Sequence, residues 1–256
     1  MGPRPLALYL NLATTTAAPA QAERFLAGVR AYWAHPYRRA ATPRPVLWQD
    51  GAARLLAYGD AGLPVLVLPS LINRAEILDL LPERSLLAHL AASGFRPLLL
   101  DWGVPQGAEL GLTLAEQILG RAQSALDAAI EAVGQRPALI GYCVGGLLAA
   151  GLAASRQRDL AGLALLAMPW DFHAGDGGAP PPISATPQLA AAIATLGCAP
   201  VDMLQGFFAS LDPLAVIAKY ARFADLPPEH PKARAFVAVE DWLNDGVPLA
   251  GPVALE

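Results

Sequence analysis

The stretch Pro137-Ala-Leu-Ile-Gly-Tyr-Cys-Val-Gly-Gly-Leu-Leu-Ala-Ala-Gly151 decides the fold. Pro137 to Ile140 is a short run of apolar and small residues, which predicts a buried strand. Gly141-Tyr142-Cys143-Val144-Gly145 reads as a sharp turn, and Gly146 to Ala154, apolar and rich in alanine, predicts a buried helix. A strand, a tight turn with a nucleophile between two glycines, and a helix together make a nucleophile elbow, here with cysteine at its tip. Gly141 and Gly145 suit that geometry because a side chain at either position would run into the strand or the helix. Cys143 would stand at the helix N-terminus, beside the positive end of the dipole and its unpaired N–H groups. The competing reading is a structural cysteine among small residues that let a helix pack closely on a sheet.

Upstream, Val46–Gln49 and Arg54–Tyr58 are strand-like runs around Asp50-Gly51, a good hairpin signal. Val65–Pro69 and Arg96–Trp102 read as buried parallel strands, and Leu160–Pro169 as a further one. Helices are predicted over 20–37, with Phe25, Leu26, Val29, Tyr32 and Trp33 on one side, over 78–93, and over 113–133. In the last, Leu114, Ile118, Leu119, Leu126 and Ile130 share a face, and Thr113 with Glu116 forms a capping box. The alternation is that of an α/β protein with a mostly parallel sheet, flanking helices and right-handed crossovers. Beyond Gly175 the pattern changes. The Pro-rich 177–183 stretch breaks both kinds of element, and helices follow over 187–196, 200–210, 213–223 and 233–245. Three regions are expected: a helical lead-in over 1–45, an α/β core over 46–174, and a helical cap over 175–256 that either closes on Cys143 or forms a plain second layer.

The 256 residues suffice for one α/β domain with a substantial core. Net charge is −4 with no basic block, which argues against a nucleic-acid partner. Two cysteines, Cys143 and Cys198, are too few for a secreted disulfide scaffold and fit a reduced, cytoplasmic setting. His35, His89, His173 and His230 are scattered away from the cysteines, so no metal site is expected. No run of about 20 apolar residues predicts a membrane span. Pro3, Pro5 and Asn11 interrupt the only signal-like stretch, near the N-terminus.

Four stretches carry a family resemblance: Gly141-Tyr-Cys-Val-Gly-Gly146, Pro69-Ser-Leu-Ile-Asn-Arg-Ala-Glu-Ile-Leu-Asp-Leu80, Met168-Pro-Trp-Asp-Phe-His173, and Phe236-Val-Ala-Val-Glu-Asp-Trp-Leu-Asn-Asp-Gly-Val-Pro248. In their order along the chain they resemble the polyhydroxyalkanoate synthases, α/β-hydrolase-fold enzymes with a cysteine acyl carrier. The resemblance implies that Cys143 attacks a 3-hydroxyacyl-CoA thioester, with no cofactor beyond that substrate. It also implies that the Asp101-Trp102-Gly103 turn is shared with the family. On the α/β-hydrolase plan the oxyanion hole takes one backbone N–H from Val144 and one from the 69–77 loop, with Leu71 and Ile72 as candidates. In the family the acid and base follow the cap on two further strand–loop units. None is visible after residue 245, so the last strands of the fold are expected to be absent. Asp171 and His173 lie after the last predicted strand and are the candidates within the chain, although two residues apart they would point opposite ways if extended. A structural histidine is the competing reading of His173. Three functions stay open: an acyltransferase of the synthase type, a cysteine esterase or thioesterase, and a non-catalytic chain, either a truncated product or a partner that docks on a full-length subunit or a polymer granule, with a homodimer as a further expected association.

Overall fold

A computed structural model of the chain describes residues 4, 6–15, 18–40, 42–170 and 187–256. Six strands form its main sheet: β1 (Val46–Asp50), β2 (Ala53–Ala57), β3 (Leu63–Leu68), β4 (Phe95–Asp101), β5 (Ala138–Tyr142) and β6 (Gly162–Leu166). They lie in the order β1-β2-β4-β3-β5-β6. The β1–β2 hairpin turns at Gly51, whose φ of 57° suits glycine. β2 also runs antiparallel to β4, while β4, β3, β5 and β6 are mutually parallel. This is the mostly parallel sheet with flanking helices expected of the α/β-hydrolase class. Strand register sets the site: Leu68 pairs with Gly141, and Gly141 with Leu165, so three strands end together at one edge of the sheet.

Both faces of the sheet are packed. Leu66, Leu68, Leu98, Leu100 and Leu139 are fully buried, as are Leu148 and Leu152 of the helix Val144–Arg156. Alternate residues Val65, Val67 and Leu99 join Leu78 and Leu87 in a separate cluster. Each such side chain contributes about 1.5–3 kcal/mol by leaving water.

Three expectations differ in detail. The 78–93 stretch is not one helix. A 3-10 turn (Ala75–Leu78) leads into a short antiparallel pair, Asp79–Leu81 with Arg84–Ser85, before the helix Leu86–Ala92. Pro82 lacks the N–H a helix interior needs, and Ser85 Oγ accepts the Ala88 N–H to cap the late start. The 113–133 helix keeps its Thr113–Glu116 capping box but passes through a π-helical segment, Gln117–Ala122. The wider turn shifts the phase of the apolar face, and Leu119 points to solvent while Leu126 is buried. Finally, β6 is not buried. It is the sheet's last strand among the described residues, and Leu163, Leu165 and Leu166 are all exposed.

The chain divides into two compact units, residues 41–199 with 247–256, and residues 1–40 with 200–246. This partition is not serial as composition implied, because the N-terminal helices find their partners late in the sequence. In the second unit the helices Leu6–Thr15, Pro19–Ala34, Val201–Leu211, Pro213–Phe223 and Pro231–Asn244 enclose Phe25, Val29, Tyr32, Ile217, Tyr220, Phe223 and Val237. A Cβ on Gly28 would lie 1.9 Å from the Tyr220 carbonyl oxygen, so two helices meet there backbone to backbone. Of the side expected to be apolar on the 19–34 helix, Leu26 and Trp33 stay exposed. Tyr220 is packed edge-on by Phe25, Tyr32 and Phe236, and its hydroxyl donates to buried Glu240 at 2.8 Å. Lys219 meets the other Glu240 oxygen at 2.6 Å. In the 41–199 unit, Cys198–Ala199 forms a small ladder with Leu249–Ala250, a pairing the sequence pattern did not predict.

Candidate active site

Cys143 has φ 54° and ψ −129°, a conformation that costs a non-glycine residue about 1–3 kcal/mol and must be imposed by its surroundings. Its N–H donates to the Leu166 carbonyl at 2.9 Å, and its carbonyl accepts the Gly146 N–H at 2.8 Å. The turn is therefore tied to β6 on one side and to its own helix on the other. Space does the rest. A Cβ on Gly141 would lie 2.6 Å from the Ala149 Cβ and the Gly146 Cα. One on Gly145 would lie 2.3 Å from the carbonyl oxygens of Leu68 and Pro69. One on Gly146 would lie 2.7 Å from the Met168 side chain. Glycine at these positions lets the helix start directly above the sheet edge and leaves the half-buried Cys143 at its N-cap.

Val144 opens the helix, so its N–H belongs to the first turn and has no acceptor within the helix. Opposite lies the loop after β3. Ser70 and Leu71 are buried, Asn73 adopts φ 68°, and the Ser70 hydroxyl accepts the Ile72 N–H at 3.0 Å. Ile72 thus donates within its own loop, and of the two candidate donors Leu71 carries the oxyanion reading. The loop's first carbonyl, on Pro69, accepts the Trp102 indole N–H at 3.0 Å in a buried bond. Trp102 follows β4 directly, and its turn is fixed in two ways. The Gly103 N–H donates to Asp101 at 3.0 Å, and Arg54 holds the other Asp101 oxygen at 2.7 Å.

Asp171 and His173, the candidate acid and base, lie outside the described residues. His89 sits within the Leu86–Ala92 helix. His35 and His230 are engaged in the 1–40/200–246 unit. His35 is buried, with Nε2 on the Pro228 carbonyl at 2.9 Å and Nδ1 accepting the Tyr37 N–H at 3.1 Å. His230 caps a helix by accepting the Lys232 N–H at 3.1 Å. Asp241 in that unit accepts the Tyr32 hydroxyl. No group of three or more metal-ligating side chains occurs among the described residues. Beside the elbow, burial and then the charge of neighbouring Cys143 push the Tyr142 phenol above its ordinary value. Two neighbours were not legible as parts of this site: Met168, which packs on Gly146, and Ala167, which precedes it at φ 50°. Both follow β6, and only the register with β5 brings them to the elbow.

Together these elements present a thiol at the tip of a strained turn, facing a rigid loop with backbone donors. That arrangement suits attack on an acyl carbonyl and stabilisation of the resulting oxyanion.

No protein-family model matches the chain. Curated relatives do. The Poly(3-hydroxyalkanoate) polymerase subunit PhaC of Haloferax mediterranei is 31% identical over 225 residues, covering 82% of this chain and 44% of that protein. The protein of the same name from Allochromatium vinosum is 31% identical over 194 residues, 74% of this chain and 54% of that one. The chain spans about half the length of these relatives. Among solved structures, the thioesterase domain from the curacin biosynthetic pathway aligns with a TM-score of 0.45 at 15% identity, over 78% of this chain and 79% of that one.

Proposed function

The chain belongs to the polyhydroxyalkanoate synthase-like proteins of the α/β-hydrolase superfamily, and from that premise we propose that Cys143 is the acyl carrier of an acyl transfer from a 3-hydroxyacyl-CoA thioester. The Cys143 thiolate adds to the thioester carbonyl, and the oxyanion takes hydrogen bonds from the Val144 and Leu71 N–H groups. On collapse the carbon–sulfur bond to CoA breaks and CoA leaves as a thiolate. The acyl group, now on the cysteine sulfur, passes to a hydroxyl oxygen: a C–O bond forms, the C–S bond to Cys143 breaks, and the hydroxyl proton goes to a base. Asp171 and His173 are the orienting acid and base proposed within these residues. With a hydroxyacyl chain end as acceptor the product is a longer ester, and with water it is the free acid. The scheme uses no cofactor beyond the CoA thioester. A reactive thiol of this kind works in a reducing compartment, in keeping with the cytoplasm as its place. No single described helix is long and apolar enough to cross a membrane.

The observation that carries this reading is the Cys143 backbone at φ 54°, since a buried structural cysteine gains nothing from such strain. The test is CoA release from 3-hydroxybutyryl-CoA, with Cys143→Ala as control. We expect release by the wild type, with at least one equivalent of CoA per chain, and none from the variant. Equal release from both would remove Cys143 from the chemistry.

The exposed, uncharged β6 edge supports a second, non-catalytic reading, in which the chain pairs with another copy or sits on the apolar surface of a polymer granule. A wild type that releases no CoA but still sediments as a larger species would favour it.

A further inference from the structure

The geometry points to Trp102 as a positioning residue that sets the oxyanion hole through the Pro69 carbonyl, an inference that rests on the acyl-carrier reading of Cys143. Pro69 O is held from two directions. The buried indole N–H of Trp102 donates to it at 3.0 Å, and the Gly145 backbone approaches so closely that a Cβ there would lie 2.3 Å away. This carbonyl is therefore a point where the loop carrying Leu71 touches the helix carrying Val144, next to the Leu68 carbonyl that ends β3. Whatever fixes it fixes the separation of the two N–H groups that must converge on one oxygen.

The indole is itself anchored for that task. It is 7% exposed and sits at the end of β4, next to β3 in the sheet. The turn after it cannot drift, because Gly103 has φ 68° and a Cβ there would meet the Ala52 carbonyl at 2.3 Å. Asp101 accepts the Gly103 N–H and pairs with Arg54. Beyond Pro69 the loop is stiff, since Ser70 accepts the Ile72 N–H and Asn73 holds a left-handed conformation. A shift at Pro69 is thus passed on to Leu71 rather than absorbed. Phenylalanine at 102 would keep an aromatic ring but remove the N–H. It would leave Pro69 O buried with one donor fewer, and the loop free to move toward another.

The test uses two reactions of the same sulfur. Acylation by 3-hydroxybutyryl-CoA builds an oxyanion. Alkylation by iodoacetamide displaces iodide at a saturated carbon and builds none. In Trp102→Phe we expect acylation roughly 10- to 100-fold slower, with alkylation within about twofold of wild type. A merely structural role for Trp102 would slow both together. That result, or unchanged acylation, overturns the proposal. If the wild type itself is not acylated, the acyl-carrier reading falls separately, and the clamp is decided by amide hydrogen exchange. Exchange about tenfold faster across residues 70–73 in Trp102→Phe, with the 86–92 helix unaffected, sustains the clamp, and unchanged exchange sinks it.

Discussion

At Gly145 an added methyl group has nowhere to go, because the atoms it would strike are the carbonyl oxygens of Leu68 and Pro69, both backbone. At Gly146 it would strike the Cβ and Cγ of Met168, both at 2.7 Å, and no side-chain rotation moves the Cβ. Gly145→Ala and Gly146→Ala should therefore each cost about 2–3 kcal/mol of stability, as read from urea midpoints. A cost well below that at either position would mean the backbone beside it yields. The tight turn at Cys143 and the close packing at Gly141 and Gly145 were legible from the pentapeptide because steric demand is local to the turn. Trp102 was visible only as part of a shared Asp-Trp-Gly turn. Its hydrogen bond to Pro69 joins two strands that are neighbours in the sheet but not in the chain, and no spacing rule announces such a contact. Ile72 shows the same limit in reverse. Its position in the loop made it a candidate donor, and a hydroxyl two residues away takes its N–H.

Among the elements, the short 3-10 turn Gly107–Gly111 ties together parts of the fold that the sequence pattern left as loop. Glu109 accepts the N–H groups of Ala52 and Gln106, both at 2.9 Å, and pairs with the almost fully buried Arg121 of the π-helical segment. Burial alone would raise its carboxyl, but those N–H groups and the guanidinium outweigh it and hold Glu109 below its ordinary value of about 4.5. A group depressed in the folded state contributes stability that is complete above the unfolded value and is lost as pH falls through the folded one. Glu109→Gln should therefore cost about 2 kcal/mol at pH 7, and the gap from wild type should close as pH drops below about 4.5. A gap that stays constant down to pH 3 would show that shape, not charge, is what Glu109 supplies. The capping box at Thr113 and the Asp50-Gly51 hairpin were legible because each is a contact over a few residues. Over 78–93 the apolar spacing is that of a helix, and Pro82 alone is enough to break it, since it lacks the N–H that a helix interior needs. The extra residue per π turn at 117–122 has no signature in the apolar period.

On the scale of the molecule, the sheet order was legible in kind, since alternating strands and helices leave few topologies open. Composition could not reveal that the first helices pack on residues 200–246. A helix shows its apolar stripe but not the address of the face that covers it. The exposed β6 edge gives the prediction proper to this scale. Replacing Leu163 and Leu165, on one face of an exposed strand, with lysine should leave the Tm nearly unchanged. It should also shift sedimentation toward the monomer wherever the wild type associates. A wild-type oligomer that persists in the double variant would have to be held by another surface. The meeting of Gly28 with Tyr220 has a further consequence, one of time. The helix Pro19–Ala34 leaves the ribosome long before the helix Pro213–Phe223 that it must touch. Between residue 40 and residue 200, synthesis at ordinary elongation speeds lasts on the order of 10–30 s. Through that interval the N-terminal helices wait with Phe25, Val29 and Tyr32 uncovered, while the strands of the main sheet, all made by residue 166, emerge in turn. In the newborn chain, the first residues to be made are among the last to find their place, and a chaperone that shields apolar helices has its opportunity there.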